Sequence, residues 1–411
     1  MYKRQWLHGG GFSAGSSIEQ LAYDGENLSR AGDVVVVSVN HRLNVLGYLD
    51  LSPFGEKYQD SANAGNLDLI AALEWIRDNI EGFGGDPENV TLFGQSGGGV
   101  KVWSLLQMPE ADGLFHKGII ESGVVDPDLL GDAEDGNGRE IVKAMLAELG
   151  LEEKDVDQLE TLPYDQLAQA YENAAPKVAQ KGEYVGNHPH KNQSYFGDAI
   201  KHGFREETKK IPLLIGTVLG EFDFGPAISG KYEFTRKEVE EKVRDVLGEE
   251  GIELIDEFLK IYPDKAPMDL LSVDTIFREP TIRFIKERVK CPDSKIYSFQ
   301  FTYEFPMFDG KIAWHCSEIP FAFHNIDKVP VCNCGEETNR LQEQICQAWV
   351  SFARTGKPEI SGIEWPACAD GDEAVMMLDK ECRIRHNPDH ELVNRLKKLQ
   401  TAEHSVENVQ H

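Results

Sequence analysis

Cysteine is absent from the first 290 residues of this 411-residue chain, and the seven that follow are an odd number that cannot all pair with one another. That excludes a small disulfide-stapled scaffold and points to reduced thiols. Cys332-Asn-Cys334 has the wrong spacing for a zinc knuckle and no second Cys/His pair at ligand spacing, so no metal is expected. Long apolar runs are missing too. The longest β-like one is Val34–Val37, far short of the ~18 residues that cross a bilayer, so membrane insertion is not expected. The start, Met1-Tyr-Lys-Arg-Gln-Trp-Leu7, is basic but has no apolar core or cleavage site of a signal peptide, which points to a cytoplasmic setting. Positive charge is scarce: 42 Lys and Arg face 70 Asp and Glu, a net charge of −28. Such a surface repels phosphate backbones and anionic lipid, so nucleic acid is not an expected partner.

What remains is an ordinary globular composition, 41% hydrophobic and 27% charged, enough to pack a core. The length allows two or three domains, or one large α/β domain with insertions. Asp33–Val39 reads as a strand buried on both faces, the kind found in a parallel sheet. Asn66–Phe83 carries Leu67, Ile70, Leu73, Ile76 and Ile80 at helical spacing and ends in glycines. Residues 86–93 then give a turn and a short strand, and a helical pattern resumes over Val100–Leu106. Further strands are expected at 117–120, 211–216 and 295–301. Alternating strands and helices imply βαβ units. The charged, helix-period stretches Arg139–Ala174 and Arg236–Tyr262 suit insertions over the sheet's functional edge. The expected organisation is one α/β domain over 1–400 with helical insertions at about 126–205 and 226–290. A terminal helix over 390–400 and a tail over 401–411 complete it.

Chemistry concentrates in two glycine motifs. Gly94-Gln95-Ser96-Gly97-Gly98 fits G-x-S-x-G, where a strained strand-to-helix turn presents the serine hydroxyl above the sheet. Flanking glycines are needed because side chains would collide in that turn. Alone the motif is weak; its place after a strand and before a helix strengthens it, and a helix N-terminus favours an anionic intermediate. The second motif, His8-Gly9-Gly10-Gly11-Phe12, is a loop whose bare backbone N–H groups can approach a substrate oxygen closely.

With these motifs the chain resembles the type-B carboxylesterase/lipase family, which includes the cholinesterases, within the α/β-hydrolase fold. The resemblance runs from His8 to about Trp365. It also takes in Val39-Asn-His-Arg42, Ala64-Gly-Asn-Leu-Asp68, Trp75–Ile80, Phe83–Pro87 and Val90–Gly94. It implies a mostly parallel sheet flanked by helices and a carboxylic-ester hydrolase acting on small to medium esters, with no metal or organic cofactor. It further implies a Ser-His-Glu triad. The acid matches Glu221 in Gly216-Thr-Val-Leu-Gly-Glu221, and the base matches His315 in His315-Cys-Ser-Glu318-Ile-Pro320. The order Ser96, Glu221, His315 is the one this fold uses. The oxyanion donors carry over to Gly10, Gly11 and Gly97.

Several other residues compete for roles. Glu318 is an alternative acid, read as a buried carboxylate behind the triad, and Asp223 reads as an exposed loop acid. His41, His188 and His190 read as surface or structural, and Ser122 as a structural buried serine. Phe12, Trp103, Phe222 and Trp314 are candidate pocket walls, each with an equally good claim to be core. Gln95 stands where the family usually has Glu, which removes a negative charge from the pocket wall and disfavours choline-like cations. Cys316 replaces the usual glycine and is expected to narrow the pocket or expose a thiol. The family also has strands before the oxyanion loop, so this chain, beginning almost at that loop, is expected to leave a sheet edge uncovered. Two further readings compete with the hydrolase: a non-catalytic cholinesterase-like binding module, which typically lacks the serine, and an inactive truncated fragment. Oligomeric state is not legible.

Overall fold

The computed structural model describes residues 2–126 and 136–407. Among the described residues ten strands follow one another: β1 (Tyr2–Leu7), β2 (Val34–Val39), β3 (Val90–Gln95), β4 (Lys117–Glu121), β5 (Leu213–Val218), β6 (Ile296–Phe301), β7 (Glu304–Phe305), β8 (Lys311–Ile312), β9 (Ala374–Leu378) and β10 (Arg383–His386). Eight of them form one sheet in the order β10-β9-β6-β5-β4-β3-β1-β2, and β7 pairs with β8 in a separate ladder. Every neighbouring pair in the large sheet is parallel except β9 with β10. This is the mostly parallel, helix-flanked sheet of the expected fold class.

Strand alternation explains why both faces must be covered. Trp6, Phe93, Ile119, Leu214 and Phe299 point to one side, where the helix Glu336–Thr355 covers them with Leu341, Ile345 and Trp349. Their neighbours Leu7, Leu92, Ile120 and Ile215 point to the other. There they meet Leu69, Ile70, Leu73 and Ile76 of the helix Ala64–Asn79, and Phe284 and Ile285 of the helix Arg278–Arg288. Burial of β3 through β6 on both faces is what the continuous apolar runs in the sequence report.

Local outcomes differ from the sequence expectation in ways that have causes. Asp33, read as the first residue of a strand, instead ends the helix Glu26–Gly32 in a left-handed conformation, φ 46°. The helix expected over 66–83 is α-helical over Ala64–Asn79 and tightens into a 3-10 turn over Ile80–Phe83, closed by Gly84 at φ 78°. β1 has no hydrophobic signature, yet lies between β2 and β3 inside the sheet. The charged segments form the helices Arg139–Glu148, Tyr164–Ala179 and Arg236–Ile261, the last broken at Gly248 with φ 69°. The terminal helix runs from His390 to Glu407, further than residue 400; 408–411, like 127–135 of the first insertion, lie outside the described residues. Among the described residues no helix is long and apolar enough to cross a membrane.

Candidate active site

In a parallel sheet, ligand-binding loops gather at the strands' carboxyl ends. The loops after β1, β3 and β5 carry residues 8–12, Ser96 and Glu221, and His315 follows β8.

Ser96 sits between β3 and the helix Gly97–Leu105 at φ 58°, ψ −127°, a conformation costly for a residue with a side chain. Its N–H donates to the Glu121 carbonyl at 2.9 Å, and its own carbonyl accepts from Val100 at 3.0 Å. The glycines around it are steric necessities. A Cβ on Gly97 would lie 2.4 Å from the backbone of Gly11, and one on Gly98 would lie 1.9 Å from the Leu7 carbonyl oxygen. The turn at Ser96 and the glycine loop are therefore in backbone contact. Gly10 and Gly11 take φ 84° and 59°, and the Gly10 carbonyl accepts from Ser13 and Ala14 at 3.2 and 3.1 Å.

His315 is held twice by Glu221. Its backbone N–H donates to the Glu221 carbonyl at 2.6 Å, and its Nδ1 lies 2.5 Å from Glu221 Oε2. The other oxygen, Oε1, accepts the Val218 N–H at 2.9 Å, which fixes the carboxylate. Phe277 stacks on the imidazole at 5.2 Å and 15°, and Phe222 flanks it at 4.9 Å. Glu318, three residues along, makes no contact of this kind. It is buried with neither oxygen partnered, and burial, then the charges of Glu121 and Glu221, holds its carboxyl well above the usual range. Among the described residues no hydrogen bond joins Ser96 Oγ to the imidazole; such bonds are often long in unliganded hydrolases.

Gln95 lies against the same ring, its Nε2 3.3 Å from Nδ1 and 3.4 Å from Nε2, and its Oε1 accepts the Cys316 thiol at 3.1 Å. Cys316 is thus tucked behind the histidine at φ 74°, with burial pushing its thiol well up. Gln95 faces Glu121 across β3 and β4. The carboxylate absent from position 95 therefore has a neighbour one strand away, bonded to the Trp349 indole N–H at 2.6 Å.

The remaining expected residues divide. Phe222 is 49% exposed beside His315, while Phe12 and Trp103 belong to the core, Phe12 packed on Tyr48 and Trp103 donating to the Gly123 carbonyl at 3.0 Å. Trp314 packs on Phe305 and lines a cavity of about 300 Å³ with Asp223 and Lys311. Asp223, expected to be an exposed loop acid, is instead half-buried and ion-paired with Lys311 at 2.8 Å. Ser122 is fully buried, and His188 and His190 pack against Tyr184. A larger cavity, about 780 Å³, runs beside Glu221 and Phe222 between Leu270, Val273, Ile276 and Leu396. No disulfide joins the seven cysteines, and among the described residues no group of three His, Cys, Asp or Glu side chains is placed to hold a metal ion.

Two residues escaped sequence reasoning. Asp274 accepts the N–H groups of Ile276, Phe277 and Arg278, and burial and then the charge of Glu221 push it up to about 8. An Asp just before a helical run was the available signal. Lys101 is wholly buried on the helix behind Ser96, and a lysine inside Val100-Lys-Val-Trp103 was legible as an anomaly.

The Carboxylesterase family model matches residues 5–396. The chain belongs to the carboxylesterase family. This carboxylesterase is 33% identical over 401 residues to the para-nitrobenzyl esterase of Bacillus subtilis (strain 168), covering 94% of its own length and 77% of that relative. Similarity extends to the phenmedipham hydrolase of Pseudarthrobacter oxydans, 29% identical over 95% of this chain and 79% of the relative. Among solved structures, an esterase from Clostridium hathewayi that can hydrolyze aliphatic aromatic polyesters superimposes with TM-score 0.93 at 49% identity, over 97% of this chain and 79% of that one. This carboxylesterase is therefore an ester hydrolase of the α/β-hydrolase fold.

Proposed function

We propose that this carboxylesterase cleaves small to medium carboxylic esters through a triad of Ser96, His315 and Glu221. The observation that carries the reading is the 2.5 Å contact of His315 Nδ1 with Glu221, which leaves the other ring nitrogen as the base. Nε2 takes the proton of Ser96 Oγ as that oxygen bonds to the ester carbonyl carbon. The resulting oxyanion is met by the N–H groups of Gly10, Gly11 and Gly97, at the positive end of the helix Gly97–Leu105. The tetrahedral intermediate collapses, the C–O bond to the alcohol breaks, and the imidazolium returns its proton to the leaving alkoxide. Water, activated by the same nitrogen, then frees the acid from Ser96. Glu221 keeps the tautomer that makes both transfers possible. Open access at Phe222 and Phe224, 49% and 65% exposed, supports esters with apolar groups.

Ser96→Ala should fold normally yet lose turnover of p-nitrophenyl esters, and mass spectrometry after phosphonate treatment of the native protein should find the adduct on Ser96. An adduct on another serine, or a fully active mutant, would sink the assignment. A chain-length series of p-nitrophenyl esters then sets the acyl preference.

A further inference from the structure

Behind the glycine loop lies a buried ammonium that the triad does not use. Lys101 is 0% exposed, one turn into the helix that begins at the nucleophile. Its Nζ donates to the carbonyl of His8, the first residue of the loop, at 3.1 Å. No carboxylate lies within ion-pairing distance of Nζ among the described residues. Its Nζ lies 5.8 Å from the Phe12 ring, and its charge reaches the imidazoles of His8 and His41, which stack on each other at 5.3 Å. A buried cation without a counter-ion is destabilising, so a bland structural role leaves it unexplained.

We propose that Lys101 is a positioning residue for the oxyanion loop: its ammonium fixes the His8 carbonyl and adds positive charge beneath the N–H groups of Gly10 and Gly11. This rests on those glycines being the oxyanion donors. The rest of the pocket is arranged to leave that charge alone. Burial and the lysine's own charge lower His8 to about 4 and His41 to about 3, so both rings are neutral at working pH. Asp68 acts on His41, and Glu19 is the acid whose charge favours the ammonium. Burial brings Lys101 itself down to about 7. Its charge is therefore present below that pH and lost above it, opposite in sense to a histidine that must be deprotonated to act as a base.

The expected wild-type profile of kcat is a bell whose alkaline limb falls near neutrality. Lys101→Met should lower kcat on the order of 10- to 100-fold, as small displacements of a preorganised site do, with KM changed little. It should also abolish the alkaline limb and melt no lower than the wild type. Phosphonate should still label Ser96 to completion, only more slowly. A variant that keeps kcat within about twofold, or keeps the alkaline limb, overturns the inference; failure to label Ser96 in the wild type overturns the triad instead. If Lys101→Met does not fold, inhibition of the wild type by a trifluoromethyl ketone, which forms an anion on the nucleophile, gives the answer. Its Ki should rise as pH passes 7, and a Ki that stays flat to pH 9 overturns the inference.

Discussion

Two carboxyl groups compete for His315, and their surroundings give them opposite chemistry. Glu221 accepts a backbone N–H on one oxygen and meets Nδ1 of the imidazole with the other, whereas neither Glu318 oxygen is partnered and burial disfavours its charge. Glu221→Gln should therefore favour the wrong tautomer and cost about 10⁴ in kcat, as for triad acids generally. Glu318→Gln, close in shape to a protonated carboxyl, should cost far less. The reverse ranking at equal folded fraction would reassign the acid. Asp274 offers a test by pH. Its carboxyl is raised from 3.8 to about 8, so the stability it contributes is full below about 4 and lost as pH rises through 8. In denaturant unfolding, the stability of the wild type relative to Asp274→Asn should fall steadily as pH rises from about 4 to 8. A gap that does not change with pH would mean the carboxylate is ionised throughout.

At the scale of elements, the decisive contact is between two turns with no side chains between them. Gly97→Ala would push a methyl into Gly11, shifting the loop and crowding the N–H at 97, so kcat should fall on the order of 10²- to 10³-fold. Gly82→Ala, where a Cβ meets nothing within 4 Å, is the control and should leave kcat unchanged. Equal losses would show that the contact does not matter. The same elements set how much was legible beforehand. β3, β4, β5 and β6 were readable because strands buried on both faces must be apolar throughout. β1 was not, since Lys3, Arg4 and Gln5 carry no such pattern and only pairing with β2 and β3 on either side makes them a strand. Both glycine motifs were readable because a turn that tolerates no Cβ leaves a mark on the sequence. Gln95 touching the imidazole, or Asp274 lying near Glu221, arises from elements far apart along the chain and leaves none.

Across the whole molecule, one buried cation ties distant parts together. Arg278 donates to Glu373 at 2.8 and 3.0 Å and to Asp389 at 2.9 and 2.7 Å, joining the helix that supplies Phe277 to the flank of β9 and the start of the terminal helix. Arg278→Met would strand two buried carboxylates and should cost about 3–5 kcal/mol in denaturant unfolding, with kcat per folded molecule preserved. A loss under about 1 kcal/mol would mean the network is not cooperative. Set against a global stability of roughly 5–15 kcal/mol, the backbone at Ser96 matters as well, because a left-handed non-glycine residue costs about 1–3 kcal/mol. Ser96→Gly should therefore melt above the wild type while hydrolysing nothing. A lower melting temperature would show that the turn is relaxed. In a population of such chains drifting without need of the reaction, glycine at position 96 would be favoured.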